Sequence, residues 1–162
     1  MYTVSEQQLI EPGLWEQKLA QQQDPLQRLA IIDQLASHYA YTNVLRAEKL
    51  LDEQWKLLQQ HEIADFTFHF YLNKVVVLNQ LYNFKGAAEV VEQGINYLEE
   101  AGSIRQLAEL FIEYAGLSLN LGELETSERL LHKAAKMLRN FPDHQLYSRI
   151  ACRKGYMYLH TG

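Results

Sequence analysis

Three passages of one pattern, AEKLLDEQWKLL at residues 47–58, AAEVVEQGINYL at 87–98 and SERLLHKAAKML at 127–138, recur at a spacing of 40 residues. Each opens on a small residue (Ala47, Ala87, Ser127), carries paired aliphatics (Leu50-Leu51, Val90-Val91, Leu130-Leu131) and closes on a leucine (Leu58, Leu98, Leu138). In the first passage Val44, Leu45, Ala47, Leu50, Leu51, Trp55 and Leu58 follow the spacing of one buried helical face. The segments ahead of the three passages share the same period. Ile31, Tyr71 and Phe111 align, as do Ile32, Leu72, Ile112 and Cys152, and then Leu35, Val75, Ala115 and Gly155. A hairpin of two amphipathic helices cannot bury both apolar faces alone. Stacked hairpins share one core and need small residues where the helices approach most closely.

The punctuation places the helices. Proline occurs only at 12, 25 and 142, which leaves residues 26–141 free of it, and strand signals are almost absent. Asp24-Pro25 predicts an N-cap followed by proline in the first turn of a helix running to about Tyr41. Thr42 or Asn43 caps the next helix, Asp65 the third, Ser103 the fifth and Asp143 the last. The fourth helix is predicted over roughly 86–100 and the sixth over roughly 124–140. Gly102 suits a left-handed C-terminal position, and Leu14, Trp15 and Leu19 form the stripe of an N-terminal capping helix. All connections are short, so successive helices are antiparallel neighbours.

Composition narrows the function. The chain has 162 residues, 48% of them hydrophobic, with 15 Lys+Arg against 20 Asp+Glu and a net charge of −5. It is long enough for one continuous core without disulfides or structural metals, and Cys152 has no partner for a disulfide. Binding to nucleic acid depends on neutralising phosphates, so the acidic balance argues against that partner. The apolar run Val75-Val76-Val77-Leu78 is far short of the roughly 18 residues that span a bilayer, and the N-terminus lacks a basic start and an apolar h-region. No membrane partner and a cytoplasmic location are expected.

No reactive constellation emerges. His38, His61, His69, His132, His144 and His160 contain no pair at i, i+4, and Asp65 stands where a zinc-protease helix would need its second histidine after His61-Glu62. Glycine-rich phosphate loops are absent. Cys152, beside Ile150 and Ala151, reads as a buried structural thiol, and Arg153-Lys154 as a solvated basic face. The chain is therefore expected to be no enzyme, with no catalytic residue, cofactor or metal site.

The third repeat resembles the tetratricopeptide repeat family in the positions of Phe111, Tyr114-Ala115, Ser118, Gly122, Ser127, Leu131 and Ala134, and Gly155, Tyr158 and Gly162 resemble the Gly, Tyr and turn Gly of a fourth. Leu35 and Val75 depart from the first-helix Gly and Gln54 from the second-helix Ala. The units also exceed the usual 34 or so residues, as in the elongated repeats of bacterial regulatory proteins. The resemblance implies an all-α, right-handed superhelix of about three and a half hairpins behind an N-terminal capping helix. Its divisions fall near residues 1–24, 25–64, 65–102, 103–142 and 143–162.

It further implies a groove on the concave side, lined by the first helix of each hairpin. Candidate contact residues are Ile32, Tyr39, His69, Leu72, Val76, Asn79, Glu109, Ile112, Asn120, Arg149 and Tyr156, a mainly apolar set. The clamp that some relatives close on a C-terminal carboxylate is missing, because Ile32, Leu72 and Ile112 stand in its places. Asn79 and Asn120 suit hydrogen bonding to a peptide backbone, and Tyr39 and Tyr156 suit aromatic anchoring.

Gly162 falls where a second helix should begin, so the chain reads as the N-terminal regulatory region of a larger bacterial signalling protein with an effector domain after it. The expected function is a non-catalytic scaffold that binds protein or peptide. The alternatives are a peptide-signal receptor of the quorum-sensing type and a weak homodimer through Tyr156 and Leu159 of the last helix.

Overall fold

The computed structural model describes residues 11–101 and 103–161; the expected roles of Gly102 and Gly162 lie outside them. The described chain is all helix and turn. Its elements are α1 (Pro12–Gln21), α2 (Pro25–Thr42), α3 (Val44–Leu58), α4 (Ala64–Gln80), α5 (Phe84–Ala101), α6 (Ile104–Asn120), α7 (Leu124–Met137), a short 3-10 turn (Leu138–Asn140) and α8 (His144–Thr161). No described helix is long and apolar enough to cross a membrane.

Local chemistry sets most helix starts. The Asp24 carboxylate accepts from the Gln27 N–H at 2.8 Å, with Pro25 opening the turn. Asn43 caps α3 through the Arg46 N–H at 3.2 Å, and Asp143 caps α8 through the Leu146 N–H at 3.0 Å. Ser103 and Gln106 form a reciprocal capping box at the head of α6. One cap differs from expectation. Asp65 lies inside the first turn of α4, because extended Ile63 is the N-cap and its carbonyl already accepts from the Thr67 N–H. Ile63 also packs its side chain on the core, whereas Asp65 is left outside to accept from Gln106 Nε2 at 3.0 Å.

The hairpins α2/α3, α4/α5 and α6/α7 stack in chain order, and α1 covers α2. Curvature follows from which helices touch. The first helices pack in series, α2 on α4, α4 on α6 and α6 on α8, while the backbones of α3 and α5, and of α5 and α7, stay more than 8 Å apart at every Cα pair. The stack therefore bends with α2, α4, α6 and α8 on the inside and α3, α5 and α7 on the outside, the form of an α-solenoid. Two apolar clusters run through it, joined by Val90 and Tyr97.

Ala47, Ala87 and Ser127 are fully buried. Ser127 resolves its polarity by donating to the Ala115 carbonyl at 2.8 Å. At the next close-packed level Gln54, Gly94 and Ala134 occupy equivalent buried positions. A Cβ on Gly94 would stand 2.9 Å from Leu110 Cδ1 and 3.0 Å from Tyr71 Cβ, so only glycine fits there without a shift. The turn at Gly122 uses φ +79°, and Tyr82, one period earlier, takes φ 59° with a full side chain.

Cys152 is exposed, contrary to expectation. The buried face of α8 runs through Leu146, Ile150 and Met157, and Cys152 lies off that stripe.

Candidate functional site

The inner face holds a cavity of about 440 Å³ to which all four inner helices contribute: Tyr41 from the end of α2, Leu72, Val76, Asn79 and Gln80 from α4, Glu109 and Glu113 from α6, and Arg149 and Arg153 from α8. It crosses the stack obliquely. The contributing residues run from the middle to the C-terminal end of α4 and sit at the C-terminal end of α2, but cluster near the middle of α6 and α8.

Its C-terminal wall is a lattice of charge. Arg149 donates to Glu109 Oε1 at 2.7 Å and also to Glu113, and Arg153 stands 3.6 Å from Glu113. Arg105 extends the lattice to Glu109 at 3.3 Å and Asp143 at 2.7 Å. The Glu109 and Glu113 side chains keep only 13% and 15% of their exposure, so these pairs are partly withdrawn from water. Desolvation works against the Arg149 charge, but the fields of Glu113 and Glu109 and their hydrogen bonds outweigh it and raise its pKa. The Arg153 guanidinium lies where a side chain on Gly116 would be, with Cζ 2.6 Å from an added Cβ, so the bare backbone of Gly116 makes its berth. Tyr41 is 69% exposed yet stands within the concavity, where desolvation and the field of Glu113 raise its hydroxyl pKa.

Of the candidates read from the sequence, Leu72, Val76, Asn79, Glu109 and Arg149 line this cavity. Asn120 joins its rim by donating to Asn79 Oδ1 at 2.9 Å. Ile32 and Ile112 do not reach it: both are fully buried in the core, Ile112 because it is turned by about 100° from the cavity-facing Glu113 beside it. Tyr39 is turned toward α1, where its pKa is raised by burial and by Glu16. Glu16 in turn takes a two-pronged grip from Arg46 at 2.7 and 2.5 Å. Tyr156 is half exposed on α8, outside the cavity lining. The groove was expected to be mainly apolar, but the cavity within it is lined mainly by polar residues, and Arg153, expected on a merely solvated face, is one of them. Tyr41, Gln80, Glu113 and Arg153 were not anticipated. A signal for two of them existed: Glu109 and Glu113 recur one period later as Arg149 and Arg153, opposite charges at the repeat spacing.

His69 belongs to a different structure, a polar strut between the first two hairpins. Its Nδ1 is 2.9 Å from Asp33 Oδ2, and Gln54 Nε2 donates to Asp33 Oδ1 at 3.0 Å. Asp33 is 1% exposed and Gln54 fully buried, and the Gln54 Oε1 has no hydrogen-bond partner. Hydrogen bonding to Asp33 raises the His69 pKa above its ordinary 6.5, against desolvation. Among the described residues no group of three or more His, Cys, Asp or Glu is placed to hold a metal ion.

No protein-family model matches the sequence, and no curated protein matches it. Among solved structures the chain is similar to a Signal Transduction ATPase with Numerous Domains, with a tetratricopeptide repeat sensor, from Pyrococcus horikoshii. The TM-score is 0.75 at 17% identity, over 92% of this chain and 24% of that one. The chain thus spans about a quarter of that protein's length. At this identity the likeness speaks for the fold, and the chain is an all-helical solenoid of the tetratricopeptide-like kind.

Proposed function

We propose that the chain is a non-catalytic module that binds protein or peptide in the concave cavity, and that it serves as the cytoplasmic regulatory region of a larger signalling protein. In this reading residues 25–64, 65–102 and 103–142 are elongated tetratricopeptide-type repeats of about 40 residues. Residues 143–161 then open a fourth, and α1 caps the stack. The observation that carries it is the cavity itself, with Asn79, Gln80 and Tyr41 facing a wall of paired Glu and Arg across four successive repeats. Such a wall offers both signs of charge to a polypeptide and rejects partners whose own charges fall out of register. The similar structure, whose tetratricopeptide repeats are a sensor in a signalling ATPase, supports the regulatory part of the reading.

The test is photo-cross-linking in the cell of origin, with a benzophenone amino acid at Asn79 or at Tyr41, and at exposed Glu89 of α5 as the outer-face control. Cross-links to the same partner from Asn79 and Tyr41 but not from Glu89 support the proposal. Absence of a specific cross-link from both Asn79 and Tyr41 overturns it, whatever Glu89 captures.

A further inference from the structure

On the outer side the gap between α3 and α5 forms a second cavity, of about 270 Å³, over α4. Its lining includes three aromatic rings, Trp55, Tyr71 and Tyr97, and on the rim Gln59 and Glu62. Tyr71 stands between the other two, its ring centroid 6.2 Å from that of Trp55 at 63° and 6.1 Å from that of Tyr97 at 39°. Trp55 is held in place by stacking on Phe70 at 4.8 Å. No basic side chain is among the lining residues. Aromatic faces carry negative potential and Glu62 adds a carboxylate, so the chemistry of this cavity favours a cation.

The next gap along the stack shows what such a ring takes. Phe111, one period after Tyr71, has the Lys133 ammonium 4.2 Å from its centroid. The residue one period before Lys133 is Gln93, so the chain supplies Tyr71 with no equivalent lysine. We propose that the cavity between α3 and α5 receives a lysine side chain from a partner protein, its ammonium over Tyr71 and between Trp55 and Tyr97, with Glu62 as counter-charge. This site lies on the opposite side of the stack from the concave cavity and stands or falls independently of it.

The test titrates the intact chain with n-butylammonium, with n-butanol as the uncharged control, and follows the indole N–H resonances of Trp55 and, as internal reference, Trp15. The proposal predicts a saturable shift at Trp55 with n-butylammonium, weaker binding of n-butanol, and no change at Trp15. Glu62→Gln and Tyr97→Leu should each weaken binding by about two- to fivefold. Glu62 lies in an exposed loop, so its variant separates recognition from folding. Equal binding of n-butanol, an unmoved Trp55 resonance, or undiminished binding by Glu62→Gln would overturn the proposal. Tetramethylammonium binding more than tenfold tighter than n-butylammonium would also overturn it, by pointing to a quaternary ammonium in place of lysine.

Discussion

Replacing Asp33 by alanine removes the centre of the strut that ties α2 to α3 and α4. Two costs follow from the geometry. Gln54, fully buried with its Oε1 already unpartnered, loses the acceptor for its amide as well, a loss of about 1–3 kcal/mol for an orphaned buried donor. The ion pair with His69 adds less, about 0.5–1 kcal/mol, because that ring keeps 41% of its exposure and water replaces part of the interaction. The sum is about 1.5–4 kcal/mol, which for a chain of this size lowers Tm by about 3–16 °C. Urea unfolding followed by helical circular dichroism measures it. The pair also carries a pH signature. The His69 pKa is raised in the folded chain, so its contribution is fully present below pH 6.5 and fades as pH rises through the raised value. The native chain should lose this increment as pH rises from 6.5 through the raised His69 value, and Asp33→Asn should not. A change below about 0.5 kcal/mol in Asp33→Ala, or an identical pH profile in Asp33→Asn, would refute the reasoning.

Other expectations concern single positions. Gly122→Ala should cost about 1–2 kcal/mol through its positive φ alone, since nothing stands within 4 Å of the added Cβ; thermal unfolding measures it. At the equivalent turn Tyr82→Gly should cost less than about 0.5 kcal/mol or stabilise, because relief of strain offsets the lost ring contact with Phe84. Gly94→Ala should destabilise by about 1–3 kcal/mol, since Leu110 and the Tyr71 backbone-proximal atoms cannot move aside cheaply. Gly116→Ala should leave unfolding nearly unchanged but displace the Arg153 guanidinium at the far end of its long side chain and so weaken partner binding, a split visible by comparing calorimetric binding with melting. Arg149→Ala should cost about 1–3 kcal/mol by leaving Glu109 and Glu113 side by side without their shared counter-charge, and the double variant with Glu113→Ala should recover part of that in a mutant cycle.

The period of 40 made the solenoid readable, because the small residues and paired aliphatics mark where helices must meet, and these contacts are the ones the core uses. The site was less readable. Carrying one register position through all four inner helices assumes that the groove runs straight along the stack, whereas the cavity crosses it obliquely, taking Leu72 from α4 but Glu109 and Glu113 in place of Ile112 from α6. Leu72, Val76, Asn79, Glu109 and Arg149 are singled out by the sequence and line the cavity, whereas Tyr41, Gln80, Glu113 and Arg153 do so from other register positions. Gln54 was visible as a departure from a small residue, but its meaning depended on Asp33, 21 residues away and on another helix. Cys152 reads as buried because it stands beside Ile150 and Ala151, but the buried stripe of α8 runs through Leu146, Ile150 and Met157, and Cys152 lies off it.

The central claim is that partners are held on the inner face. Amide hydrogen exchange on the chain with and without its captured partner tests it most directly. The account predicts slowed exchange at the cavity-bearing stretches, residues 72–80 of α4 and 109–113 of α6, together with 149–153 of α8. Slowing confined to α3, α5 and α7, with these three stretches unchanged, would contradict it.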